Sequence, residues 1–418
     1  ERTRPIDRRR MTDSTANQGS IILTNINQLV TNDPAHGGLL GTIDNASVAV
    51  VDGVIAWCGP AADLPADFSD IDAVDVAARS VVPGFVDPHT HAVFAGDRVG
   101  EFHQRLAGAS YAEILASGGG IYSTVEATRA SAFVDLIGES LGRFQRMVSA
   151  GTTTAEVKTG YGLDVSTEVE MAAVINAIGL SLPLDLVPTF LGAPVVAPEY
   201  TGRKDEYLDL VCGEMLDAVA PQARFVDVFC DEIAFSVEDA RRIAEAADAA
   251  GLGMRVHADQ TSRIGATALA AEIGAASADH VDFATDADLA ALAASGTAAV
   301  LLPGVSYSMK LPPPDGRRAW DSGATVAIAT DCNPGTAFVE TMPFMISLAV
   351  LHAGLRADEA LWAATRGGAS ALQLDDRGVV APGAVGDLVV INAPTHEHIA
   401  YRPDGDLVVG VVKDGVLL

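Results

Sequence analysis

Cysteine and basic residues are scarce in this sequence. Four cysteines, Cys58, Cys212, Cys230 and Cys332, are scattered over 418 residues without a CxxC pair. That spacing argues against a disulfide framework and a zinc ribbon, and it fits a reducing, cytoplasmic setting. Lys and Arg number 27 against 55 Asp and Glu, a formal net charge of −28. So acidic a chain is a poor partner for nucleic acid or an anionic membrane surface. An anionic ligand would have to be held by specific local cations. Long apolar runs are also missing. None reaches the ~18 residues of a membrane span, and the longest, 344–355, reads as a buried helix. There is no signal-peptide pattern, no internal repeat and no low-complexity segment. The first ten residues, ERTRPIDRRR, precede Met11 and read as a tag remnant or upstream extension.

With 49% hydrophobic residues, the chain can bury a large core and exceeds one average domain. Eight short apolar runs alternate with helical stretches: 81–91, 152–159, 184–191, 225–231, 253–259, 277–282, 298–303 and 325–331. Thr167-x-x-Glu170 reads as a capping box, and Ser236-x-x-Asp239 and Thr285-x-x-Asp288 as helix starts. Gly151 and Gly251 stand where helices stop. Eight β/α alternations predict an α/β fold of the (β/α)8 TIM-barrel type. A doubly wound open sheet is the alternative, but no GxGxxG opens a helix to support it. The ends read differently. Segments 47–59 and 407–418 are each strand, Asp-Gly, strand, the signature of a hairpin, and 378–394 adds another strand. The expected division is an extension over 1–19, a small β domain formed by both chain ends (20–80 and 375–418), and a barrel over 81–374.

Active sites of such barrels lie at the C-terminal ends of the strands. Run one ends in His89-Thr90-His91, run two in Lys158, run five in His257-Ala258-Asp259-Gln260, and run eight in Asp331; run six contains His280. Residues i and i+2 of a strand share a face, so His89 and His91 are expected to point at one place. An HxH pair alone is often structural. Joined by His257 and Asp331, it becomes a set of three nitrogen ligands and one oxygen ligand for a single divalent metal, zinc or iron. Such an ion lowers the pKa of a bound water towards ~7. Asp331 is positioned to take that water's proton, and His280 to act as acid/base or carbonyl polariser. His36, His103, His352, His396 and His398 are assigned no role. A second metal would need a bridging group at the end of run four, where Cys230-Asp231 offers no lysine. Lys158 is expected to add positive potential or to bond a neighbouring strand end.

VPGFVDPHTH (82–91), with HAD (257–259), DH (279–280) and TD (330–331), resembles the amidohydrolase superfamily. A finer resemblance is to the imidazolonepropionases. It is carried by FAGDRVGEFHQRLAGASYAEI (94–114), GGGIYSTVEATR (118–129), EVKTGYGLD (156–164), PTFLGA (188–193), VHADQ (256–260), SADHVD (277–282), LLPG (301–304) and ATDCNPGT (329–336). The resemblance implies a barrel flanked by a composite β-sandwich. It also implies metal-dependent hydrolysis of the cyclic amide C–N bond of 4-imidazolone-5-propanoate, giving N-formimidoyl-L-glutamate in histidine degradation. A small anionic heterocyclic substrate and a homodimer belong to the same expectation. Carried over residue by residue, Arg98 and Tyr161 would bind substrate, Arg98 through the propionate. Gln260 would hydrogen-bond and orient the ring in catalysis, and Asn333, Gly335 and Thr336 would line the pocket. One departure stands out. The family has a substrate-contacting histidine after PTFLGA, and this chain has Pro194, which offers neither a side-chain donor nor an N–H. That keeps open another amidohydrolase activity, such as a deaminase or a hydantoinase-like ring opener. A non-catalytic binding barrel is the remaining alternative; the full His/Asp set argues against it.

Overall fold

The computed structural model describes residues 19–108 and 119–418. The extension up to residue 18, and the portions of segments 94–114 and 118–129 falling within 109–118, lie outside the described residues. Four strands open the chain: β1 (Ile21–Val30), β2 (Thr42–Val51), β3 (Val54–Pro60) and β4 (Ala73–Pro83). Eight follow with helices between them: β5 (Phe85–Asp87), β6 (Thr152–Lys158), β7 (Asp185–Ala193), β8 (Phe225–Cys230), β9 (Gly253–Ala258), β10 (Ser277–His280), β11 (Ala298–Leu301) and β12 (Val326–Ile328). The last three are β13 (Leu388–Ile391), β14 (Val408–Lys413) and β15 (Val416–Leu417).

Strands β5 to β12 form one eight-stranded sheet in sequential order, every neighbouring pair parallel. Such strands are buried on both faces, which is why their sequences read as apolar runs rather than alternating ones. Closure comes just beyond the strands. The Asp331 N–H donates to the His89 carbonyl and the His91 N–H to the Cys332 carbonyl, each at 3.0 Å. The segments that finish the barrel thus carry three of the four candidate ligands, His89, His91 and Asp331. Helices cover the outside with their apolar faces. In the helix Phe133–Ser149, Leu136, Phe144 and Met147 are buried. Truncating a buried aromatic such as Phe144 costs ~3–5 kcal/mol.

The chain ends meet in a seven-stranded sheet, ordered β15-β14-β13-β4-β1-β2-β3, with its own buried cluster that includes Leu23, Val48, Val81 and Leu388. Both Asp-Gly turns take the left-handed pair of a type I′ hairpin, with φ of 50° and 80° at Asp52-Gly53 and 50° and 75° at Asp414-Gly415. Lys413 reaches from this sheet to Asp185 at the start of β7, at 3.2 Å. Among the described residues, no helix is long and apolar enough to cross a membrane.

Each of the eight apolar runs overlaps a barrel strand, but run one is two strands, not one. Residues 81–83 belong to β4 and pair with β13 in the terminal sheet, and only Phe85–Asp87 enters the barrel. Gly84 is the crossing point. A Cβ there would lie 2.2 Å from Thr153 Oγ1, so the chain passes between sheets where no side chain fits. The helix expected to start at Thr167 starts one turn earlier. Asp164 is its cap, accepting from the Thr167 N–H at 2.9 Å, because an Asp before the first turn competes successfully with a threonine inside it. The helices expected to start at Ser236 and Thr285 do so, each closed by a capping box.

Candidate metal centre and active site

His89 and His91 lie beyond the end of β5, on an extended segment rather than within the strand. Their shared direction comes from Thr90 between them, whose hydroxyl donates to the Glu156 carbonyl at 2.7 Å on the other side. His257 projects inward from β9, His280 ends β10, and Asp331 follows β12. Two of these have left-handed backbones that non-glycine residues rarely adopt: φ is 75° at His280 and 50° at Asp331. Strain of this kind costs about 1–3 kcal/mol per residue and collects at functional sites.

The donor atoms converge. Asp331 Oδ1 is 3.4 Å from Nε2 of both His89 and His91, and His257 Nε2 is 3.3 Å from His91 Nε2. Ligand atoms of His89, His91 and Asp331 lie within 4.8 Å of one another, and so do those of His89, His257 and His280. Behind them, carboxylates fix the rings. Asp279 Oδ2 is 2.6 Å from His89 Nδ1, and Asp227 Oδ2 is 2.9 Å from His257 Nδ1. A carboxylate on Nδ1 selects the tautomer with its lone pair on Nε2, the arrangement metal-binding histidines adopt. His89 Nε2 is buried and has no hydrogen-bond partner. An orphaned buried nitrogen costs about 1–3 kcal/mol unless something occupies it. These residues fit a divalent metal.

Electrostatics agree. Burial, and then neighbouring cationic groups, hold His89, His91 and His280 well below the usual histidine range, so the imidazoles are neutral and able to donate lone pairs. Burial pushes the Asp331 carboxyl up to about 7, against the opposing pull of His257, Asn333 and Lys158. Beneath the histidines, the barrel interior is ionic. Lys158 Nζ lies 2.6 Å from Glu156 Oε1 and 2.8 Å from Asp227 Oδ2, all three side chains fully buried. Arg255 Nη2 is 3.1 Å from Asp279 Oδ2 and donates to the Pro88 carbonyl at 2.7 Å. Burial alone would raise Asp227 and lower Lys158. Their attraction to each other and to their neighbours reverses both: Asp227 is held well below the carboxylate range, and Lys158 is raised. Lys158 therefore pairs with Glu156 of its own strand and with Asp227 of β8, two strands away, rather than with the end of an adjacent strand. At the end of β8, the Asp231 carboxylate accepts from the Thr261 N–H at 2.8 Å.

A cavity of about 430 Å³ opens above this cluster. His91, His257, His280 and Asp331 form one side, and Arg98, Tyr161, Gln260, Asn333 and Thr336 also line it. Leu191, Pro194, Val195, Phe229 and Ile233 make an apolar wall. His89 sits below the floor. Gly335 is not part of the lining; a Cβ there would lie 2.2 Å from Arg98 Nη1, so its place is against the arginine. Asn333 is largely engaged in its own loop. Its Oδ1 accepts from the N–H groups of Gly335 and Thr336, both at 2.8 Å, and its Nδ2 donates to the Asp331 carbonyl at 2.7 Å. It shapes the turn after β12 more than it offers free groups to a ligand.

Sequence reasoning assigned no role to Asp227, Asp279, Glu156, Arg255 and the wall residue Phe229. A signal for four of them was available. Glu156 with Lys158, and Arg255 with His257, are polar residues two apart inside apolar runs, and Asp227 and Asp279 interrupt two more. Charge at the inward positions of a buried strand demands partners.

The amidohydrolase family model matches residues 80–418. The chain is similar to imidazolonepropionases from Cutibacterium acnes (48% identical, covering 96% of this chain and 97% of the relative) and Mycolicibacterium smegmatis (47%, covering 96% and 98%). In fold it is similar to a triazine hydrolase variant (TM-score 0.75, 16% identical, covering 96% and 95%). It is also similar in fold to an adenosine deaminase with bound zinc from Xanthomonas campestris (TM-score 0.71, 18%, covering 95% and 92%).

Proposed function

Since the chain belongs to the amidohydrolase family, and groups within it with the imidazolonepropionases, we propose that the residues at its barrel strand ends hydrolyse 4-imidazolone-5-propanoate to N-formimidoyl-L-glutamate. His89, His91, His257 and Asp331 would hold one zinc or iron ion. When bound, the ion polarises a carbonyl and lowers the pKa of a water. The remaining work falls to side chains. Arg98 grips the propionate with a guanidinium fork. Gln260 hydrogen-bonds the ring and sets its carbonyl towards the histidines. Asp331 accepts a proton from the attacking water as the water oxygen bonds to the carbonyl carbon. His280 hydrogen-bonds the carbonyl oxygen as negative charge develops there. The C–N bond then breaks, and the same pair returns the proton to the leaving nitrogen. Tyr161 and Thr336 close the cavity around the ring. A cytoplasmic homodimer completes this reading, and sedimentation of the purified protein tests the dimer.

The observation that carries the reading is the orientation of His89 and His257. Each has a carboxylate against Nδ1, and Nε2 is turned towards Asp331 and His91. The test is a ring-opening assay that follows loss of the ring's ultraviolet absorbance. His280→Ala should cut turnover by about 10²–10⁴-fold, the usual contribution of a positioned acid/base, with metal content unchanged. A near-normal rate would sink the assignment. Pro194 in the cavity wall favours a second reading, another ring-opening or deaminating activity. Turnover of hydantoins, cytosine or guanine above that of imidazolonepropionate would select it.

A further inference from the structure

Arg98 is held in a seat built by Glu101, Gly335 and their neighbours. It is the N-cap residue of the helix Val99–Leu106, and Glu101 stands one turn in. Glu101 Oε2 accepts from Arg98 Nε at 2.8 Å and lies 2.6 Å from Nη2, so one edge of the guanidinium is fully used. Both side chains are nearly buried, at 10% and 12% exposure, which removes much of the water screening that weakens surface pairs. The other carboxylate oxygen, Oε1, accepts from the Gly120 N–H at 2.9 Å and the Ser123 hydroxyl at 3.1 Å. Those two groups begin the helix Ile121–Ala130, whose first residue, Ile121, lines the cavity. On the opposite side, Nη1 of Arg98 lies against Gly335, where any Cβ would come within 2.2 Å. The Gly335 backbone is not left-handed, so the contact with Arg98 is what restricts that position. Arg105, from the same helix, donates to the Gly335 carbonyl at 2.7 Å and fixes it from below.

We infer that Glu101 and Gly335 are positioning residues that set the reach of Arg98, and hence the distance between the substrate's carboxylate and its ring. This rests on the reading that Arg98 binds the propionate. An arginine chain carries several rotatable bonds and about 2 kcal/mol of rotamer entropy. A loose one would accept anions at many distances. Glu101 uses both oxygens, one on Arg98 and one on Gly120 and Ser123, so glutamine, with a single acceptor, loses one set of contacts. The expected signature is a KM effect confined to substrates that carry the carboxylate.

The experiment compares Glu101→Gln, Gly335→Ala and Arg98→Lys on two substrates, 4-imidazolone-5-propanoate and its propanamide. Glu101→Gln and Gly335→Ala should each raise KM for the propanoate about tenfold, the scale of one charge-assisted hydrogen bond. They should leave kcat within about twofold and barely change KM for the propanamide. An unchanged KM for the propanoate, or an equal loss on both substrates, overturns the positioning role. Gly335→Ala keeps the test open if Glu101→Gln fails to fold. Arg98→Lys separates the two claims. If it leaves the propanoate KM unchanged, the propionate reading itself fails. If it raises that KM and the other two variants do not, only the seat is wrong.

Discussion

At the scale of single residues, the site works through what stands behind each ligand. Asp279 is fully buried, yet it holds His89 Nδ1 at 2.6 Å and is itself held by Arg255. Burial alone would raise its pKa; Arg255 and Lys158 outweigh that and keep it ionised. Asp279→Asn should weaken metal affinity about 10–100-fold, the usual cost of losing such a partner. Competition with a chromophoric chelator measures this, and melting of the metal-free protein separates it from general destabilisation. Equal affinity in both proteins would mean that the Nδ1 contact does not govern the ligand. The candidate ligands were legible in the sequence because histidine is rare and gathers at or just beyond strand ends. Asp227, Asp279 and Arg255 were not, because a charged residue within an apolar run declares a need for a partner without naming it. Gly335 looked like pocket lining and proved to be a space left for Arg98. That is a property of two distant segments, which neither segment shows alone.

At the scale of elements, periodicity and turn chemistry carried most of the fold. The Asp-Gly hairpins and the helix starts at Ser236 and Thr285 are local structures whose causes lie within a few residues, and they form as read. The run at 81–91 failed for the opposite reason. Its apolar character is continuous, but β4 and β5 belong to different sheets, and only packing against Thr153 tells where one ends. Gly84 is the joint. Gly84→Ala drives a methyl group into a buried threonine and should cost about 1–3 kcal/mol, the range for overpacking a core. A thermal melt of the variant should shift down by several degrees. An unshifted melt would show that the two sheets meet with more slack than the 2.2 Å approach implies.

At the scale of the whole molecule, one device does two things. The barrel is closed by hydrogen bonds between 89–91 and 331–332, and these same segments bring His89, His91 and Asp331 together. The contacts that close the barrel also space three of the candidate ligands. In the proposed reading, a chain of net charge −28 presents Arg98, in the cavity lining, as a local cation for an anionic substrate. The central claim is that the cluster holds one divalent ion on which ring opening depends. The direct measurement is to strip the purified protein with a chelator and titrate zinc or iron back, following bound metal and ring absorbance together. The account predicts loss of turnover on stripping and recovery that saturates at one ion per chain, with the high-affinity site absent in His257→Ala. Full turnover by the metal-free protein, or tight binding unaltered by His257→Ala, would contradict it.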